Sequence, residues 1–237
     1  MQLVKVHAIG IVNSFRNYAR TTIHDTLPLP PKTTIIGLLG GALGYGFNSS
    51  ELLELYDKVK VGIVGKSKSN FYDLMRVFKL KGKDSVPGLL QRQLNWENRY
   101  WIYYYYGDRN RKILDALRNP VFAPTLGLAD ELINIKDVLL IEAKEIRKGE
   151  RATFSNTLLP FKLDPSSTDV NWPEGEEDII VPLTPYRVPI KFEFDSKGSR
   201  KPIDDADYVF TDRMQVSTIV PEEFTACQDG EFTFVLH

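Results

Sequence analysis

A chain of 237 residues has room for one large domain or two small ones, and a hydrophobic content of 43% supplies a real core. The single cysteine, Cys227, excludes an internal disulfide framework and a cysteine-rich zinc site, and it fits a reducing cytoplasm. The net charge of −1 argues against indiscriminate nucleic-acid binding, but it hides an uneven distribution. Lys58 to Pro120 carries 14 basic and 5 acidic residues, whereas Pro160 to His237 carries 7 and 16. Either block is what a solvated face looks like; the basic one also suits a phosphate backbone, and the acidic one solvent or a basic partner. There is no basic-plus-apolar amino-terminal signal and no apolar run long enough to span a bilayer, so a soluble cytoplasmic protein is expected, with no membrane contact.

Residues 2–13 alternate as a first strand. A long polar loop, Ser14 to Lys32, holds Arg16, Arg20 and His24, and its prolines, Pro28, Pro30 and Pro31, exclude helix. A glycine-rich helix follows to about Tyr45, with Thr33 or Thr34 predicted to cap it. Gly37, Gly40, Gly41 and Gly44 each cost such a helix about 1 kcal/mol against alanine. Something must therefore come close to it: a packed sheet, or an RNA backbone drawn to the helix N-terminus. The P-loop is excluded, because no Gly-Lys-Ser/Thr follows the glycines. Glu51 to Tyr56 reads as a short helix and Val59 to Val64 as a strand.

Two strands joined by a lysine-rich tip, Lys79 to Gly88, predict a long hairpin over about 66–106. Its second strand ends in Trp101 and four consecutive tyrosines, of which alternation sends one pair inward, Tyr103 with Tyr105 or Tyr104 with Tyr106. Asp108 to Arg118 reads as a helix and Asp137 to Lys144 as a strand. The fold class is α+β, with an order close to a ferredoxin-like (RRM-like) β-α-β-β-α-β unit over residues 1–148. From Gly149 to His237, short apolar runs between prolines suggest a smaller β-rich lobe with an acidic loop at Glu174 to Asp178.

His7, His24 and His237 lack metal-ligand spacing, and neither a metal nor a cofactor is expected. His24, close to Arg16 and Arg20, is either an RNA-contacting loop residue or the general base of a metal-independent ribonuclease. The binding candidates are Arg16 and Arg20 in the loop, and Lys32, Thr33, Thr34, Gly37, Gly40 and Gly41 around the helix N-terminus. Lys79, Lys81 and Lys83 at the hairpin tip and Trp101 as a stacking platform complete the set.

A strand, then Ser14-Phe-Arg16, then Pro28-Leu-Pro-Pro-Lys-Thr-Thr-Ile-Ile-Gly-Leu-Leu-Gly-Gly-Ala-Leu-Gly44 resembles the amino-terminal signature of the Cas-five family of CRISPR proteins. Arg118-Asn-Pro-Val-Phe-Ala-Pro-Thr-Leu-Gly-Leu-Ala129 is similar to the family's central turn. The resemblance implies a palm with a hairpin thumb. It also implies a non-catalytic subunit of a type I Cascade complex, which binds the 5′ handle of the crRNA and caps the complex. Its partners would be the backbone subunit and the large subunit. One subtype of the family cuts CRISPR repeats with a tyrosine, a lysine and a histidine; the adjacent Lys-His pair associated with that activity is absent here.

Overall fold

A computed structural model of the chain describes residues 1–19, 23–81, 84–172, 183–196, 199–212 and 214–237, with side chains for all of these except 79–81. It is mostly strands with few helices. The amino-terminal part runs β1 (Gln2–Asn13), α1 (Lys32–Ala42), α2 (Ser50–Lys58), β2 (Lys60–Lys81), β3 (Asp84–Tyr105), α3 (Asn110–Arg118) and β4 (Ile133–Glu142). Its four strands form one antiparallel sheet in the order β2-β3-β1-β4.

The helices cover one face of this sheet. Val4, Val6 and Ala8 of β1 and Tyr100, Ile102 and Tyr104 of β3 form a core with Ile35, Ile36 and Leu39 of α1 and Ile113 and Leu117 of α3. In α1, Lys32 and two threonines are the only side chains that are not aliphatic, because the helix is enclosed on most sides. Its N-cap is Pro31, with no side-chain cap, so neither Thr33 nor Thr34 plays the predicted role. The proline already fixes an extended φ there, and both threonines lie inside the first turn. The helix stops at Ala42, three residues before the expected Tyr45, in a Schellman turn. Tyr45 N–H bonds the Gly40 carbonyl, Gly44 N–H bonds the Gly41 carbonyl, and Gly44 takes a φ of +76°. In α2, by contrast, the Ser49 hydroxyl accepts from the Leu52 amide, with Glu51 in the first turn and Lys58 in the last.

The opposite face is covered too. Strands β5 (Lys144–Glu145), β6 (Arg151–Ser155), β7 (Leu158–Pro160), β8 (Asp169–Asn171), β9 (Pro185–Phe194), β10 (Arg200–Phe210), β11 (Gln215–Ile219), β12 (Thr225–Gln228) and β13 (Thr233–Leu236) form three small sheets, β7-β10-β9, β6-β11-β8 and β13-β12-β5. Leu3, Val64 and Tyr103 pack under Cys227, Phe234 and Leu236. The Tyr103 and Phe234 rings stack at 3.7 Å, and a Cβ on Gly62 would meet the Phe234 ring at 2.7 Å. Lys5 and the Tyr103 hydroxyl both bind Asp229, at 2.6 and 2.8 Å. Burial opposes ionisation of Asp229, but these bonds outweigh it and hold the carboxyl below its usual range. Tyr103 and Tyr104, neighbours on opposite faces, are therefore both fully buried, with Tyr105 packed against the cluster of Tyr103 and Tyr106 against that of Tyr104, so both expected pairs turn inward rather than one.

The core does not stop at residue 148. Leu158, Val188, Phe192, Tyr208 and Phe210 belong to the same cluster as α1 and the sheet. His237 N–H and C=O pair with Val61 on the outer edge of β2. The expected acidic loop, Glu174 to Asp178, and the run Ile179 to Val181 lie outside the described residues.

Candidate nucleic-acid interface

Strands β2 and β3 pair from Lys60↔Tyr105 to Lys81↔Asp84, with an irregularity at Lys68 and Glu97, where Glu97 has φ +51°. β1 leaves β3 at Asn13↔Asn95. From Phe71 outward, roughly 35 Å of hairpin continues without the sheet. Its departure is fixed by buried amides. Asn98 donates to Asn13 Oδ1 at 3.0 Å, Asn13 donates to the Leu126 carbonyl at 2.7 Å, and Asn95 donates to the Leu27 carbonyl at 3.0 Å. The loop of 14–31 is held against this junction. Phe15 and Thr26 are linked, His24 N–H bonds the Gln91 carbonyl, and Gln93 N–H bonds the His24 carbonyl.

The buried Glu131 carboxylate accepts from the amides of Ser14 and Leu128, at 2.7 and 3.0 Å. A Cβ on Gly127, φ +117°, would strike that carboxylate. Ser14-Phe-Arg16 and Phe122 to Ala129, far apart in sequence, thus meet. Val121 and Phe122 also bond the carbonyls of Ala42 and Gly41, which brings the central turn onto the end of α1. None of these buried polar residues was predicted. Asn and Glu in a sequence read as surface or loop, and only their distant partners mark them as internal.

The predicted residues scatter. Arg16 is exposed, its guanidinium 5.7 Å from the Tyr18 ring. The His24 pKa is lowered by burial and by Arg16. Thr33 is buried, and Lys32 is half-buried. The Lys32 pKa is lowered by burial despite Asp57 and Asp204 nearby. A Cβ on Gly40 would strike Leu52, so that glycine serves helix–helix packing, whereas Gly37 and Gly41 face open space. Trp101 is packed between His7, stacked at 5.3 Å, and Phe232 at 4.6 Å, so its faces are occupied. Arg20 and Lys83 lie outside the described residues, as do the side chains of Lys79 and Lys81. Among the described residues no group of three or more His, Cys, Asp or Glu is arranged to hold a metal ion, and no helix is long and apolar enough to cross a membrane.

Three further features stand out. One face of the outer hairpin shows Tyr72, Leu74 and Phe78 to solvent, at 54, 65 and 74% exposure, with Arg76 among them. Continuous with that face, at the hairpin base, is a polar cleft of about 190 Å³ between Thr26, Pro28 and Leu29 of the loop, Lys66, Ser69 and Asn70 of β2, Gln93 and Asn95 of β3, and Tyr186 and Asp212. Elsewhere, Lys112 donates to the Tyr45 hydroxyl at 2.8 Å, and Arg109 donates to the Tyr106 hydroxyl at 3.0 Å.

A family model described as CRISPR-associated protein (Cas_Cas5) matches residues 4–194. Among curated protein sequences none matches. A solved structure titled CRISPR RNA-guided surveillance complex superposes with TM-score 0.55 and 17% identity, covering 93% of this chain and 92% of that one. A CRISPR protein from Archaeoglobus fulgidus superposes with TM-score 0.54 and 10% identity, covering 99% and 98%. At such identities these are likenesses of fold.

Proposed function

Because the chain belongs to the CRISPR-associated Cas5 family, we propose that it is a non-catalytic subunit of a type I Cascade antiviral complex that binds and caps the 5′ handle of the crRNA. The strand order β2-β3-β1-β4, with helices after β1 and after β3, supports reading residues 1–148 as a ferredoxin-like palm. The hairpin of about 66–106 is its thumb, and residues 149–237 form a β-rich lobe sharing the palm's core.

The observation that carries this reading is the outer hairpin. Large apolar side chains displayed on both sides of a cation, Arg76, are costly to leave in water, and single-stranded RNA supplies both base faces and phosphates. Arg16, Lys66 and Arg99, all exposed, extend the cationic surface to the hairpin base. The backbone subunit that polymerises on the guide and the large subunit that engages target DNA are the expected neighbours.

The test is a gel shift with end-labelled cognate CRISPR repeat RNA in EDTA, for the native chain and for Lys79→Glu/Lys81→Glu/Lys83→Glu. The expected result is a shifted, uncut RNA, with affinity lost in the triple variant and a salt slope shallower by about 2. Unchanged binding by the triple variant would point to a protein-interaction scaffold instead.

One observation favours a second reading, a metal-independent endoribonuclease. Tyr45 and Lys112 form a phenol–ammonium pair on the surface. In that chemistry a ribose 2′-hydroxyl loses its proton to a base and attacks the adjacent phosphorus. The products are a 2′,3′-cyclic phosphate and a protonated 5′-hydroxyl. The residue after Lys112 is the buried Ile113, so no histidine completes the set there, and His24 sits against β3 instead. A discrete cut lost in Tyr45→Phe, or in His24→Ala, would establish the enzyme.

A further inference from the structure

We propose that the cleft at the hairpin base is a binding pocket for one unstacked base of the bound RNA. The inference rests on the RNA-binding reading and deepens it.

Size sets the first limit. At about 190 Å³ the cleft is smaller than the ~300–1,000 Å³ typical of sites for drug-sized ligands, and it fits a single planar ring system. Its lining sets the second. A phosphate site would be ringed by Arg and Lys, but here Lys66 is the one cation among the described lining residues. Apart from the Asp212 carboxylate, the remaining polar groups are amides and hydroxyls, which match the donor and acceptor edge of a base. Tyr186 and Pro28 supply flat apolar surface for stacking.

The pocket is also pre-organised. Asn95 is buried, and its Nδ2 is committed to the Leu27 carbonyl at 3.0 Å. The Gln93 Oε1 accepts from the Thr26 amide at 3.3 Å, so the wall on that side is rigid before any ligand arrives. Tyr186 is braced edge-to-face on Phe210 at 5.2 Å. The exposed Asn70, on β2, is the adaptable group that closes on the base. Asn70 accepts and donates at once, so its amide can pair with the hydrogen-bonding edge of the base. The hairpin face bearing Tyr72 and Leu74 leads directly into the pocket, so a strand lying along the hairpin delivers its base there.

The experiment uses the full chain and labelled cognate CRISPR repeat RNA in which one abasic ribose is walked through the single-stranded 5′ segment. One position is expected to lose about tenfold or more in affinity when abasic. Asn70→Ala, an exposed change, should flatten the profile while leaving the salt slope unchanged. Tyr186→Leu, which keeps the apolar brace, should do the same. A native chain that binds RNA with a flat abasic profile, or keeps its profile in both variants, overturns the pocket alone. A native chain that binds no repeat RNA overturns the RNA-binding reading together with it.

Discussion

The inner and outer halves of the same hairpin make opposite use of the same residue types. Between Lys60 and Val64, and between Tyr100 and Tyr105, the two strands are sealed on both faces, by α1 and α3 on one side and by β12 and β13 on the other. From Phe71 to Phe78 the same strands display aromatic and aliphatic side chains to water. Pairing keeps one register on both sides of the irregularity at Lys68 and Glu97, so backbone hydrogen bonding does not distinguish the two halves. What distinguishes them is whether a second layer covers the side chains. Stability therefore resides in the inner half, and the outer half carries large apolar side chains that no second layer covers among the described residues.

The largest effect that would break this contrast is a core truncation. Tyr104→Ala, fully buried and bonded to the Ile35 carbonyl, should cost ~3–5 kcal/mol in urea unfolding. Leu74→Ala, on the outer half, should stay within about 0.5 kcal/mol. If Leu74→Ala costs as much as a core residue, the outer hairpin is covered after all.

Next comes acid. His237 closes β13 onto β2, its ring edge-to-face with Tyr208 and bonded to the Leu158 carbonyl. Burial pushes its pKa down from 6.5 to about 4, with a smaller push from Lys32, against the Leu158 bond. Above about pH 6.5 both folded and unfolded chains hold it neutral. As pH falls toward 4 only the unfolded chain takes the proton, so stability drops by up to about 3 kcal/mol. Unfolding midpoints at pH 7.5 and 4.5 should show this loss, and His237→Gln should remove most of it.

Third is the junction between the halves. Glu131→Ala leaves the Ser14 and Leu128 amides without their acceptor and should cost about 1–3 kcal/mol in the same unfolding assay. It should loosen the loop of 14–31, read as faster amide exchange at Leu27 and His24. Unchanged exchange there would mean that Asn13 and Asn95 suffice to hold the loop.

Smallest is Gly37→Ala. Nothing lies within 4 Å of the new Cβ, so the helix should gain up to about 1 kcal/mol of stability. If the gain comes with weaker binding of repeat RNA, this open face of α1 is where RNA passes close; if binding is unaffected, RNA passes elsewhere.

Most elements were legible because they are written in short-range patterns. Strand alternation over 2–13 and the paired β-rich runs on either side of Lys79 to Gly88 each announced an element that formed. The central Tyr103-Tyr104 pair was not legible. Alternation assumes one wet face, and a layer drawn from residues 225–237 removed it. The glycine helix was legible as a close approach at two of its four glycines, Gly40 and Gly44, but not by what, and Gly37 and Gly41 face open space. Its neighbour at Gly40 is Leu52, and at Gly44, where a Cβ would sit 3.0 Å from the side chain, it is Val121.

By itself, then, the sequence determined the first strand, the helices before and after the hairpin, the basic middle and the family motifs, since each is fixed by local periodicity, turn chemistry or composition; that Val59 to Val64 and the hairpin arm form one strand, β2, it did not record. Only the tertiary structure decided which residues face water. It buried Trp101 between His7 and Phe232, joined Ser14 to Glu131, and formed a cleft from Asn70, Gln93 and Tyr186. The physical reason is that a site is a set of distances between chain segments. Those distances follow from packing the sheet under two different layers, which no local pattern in this chain records.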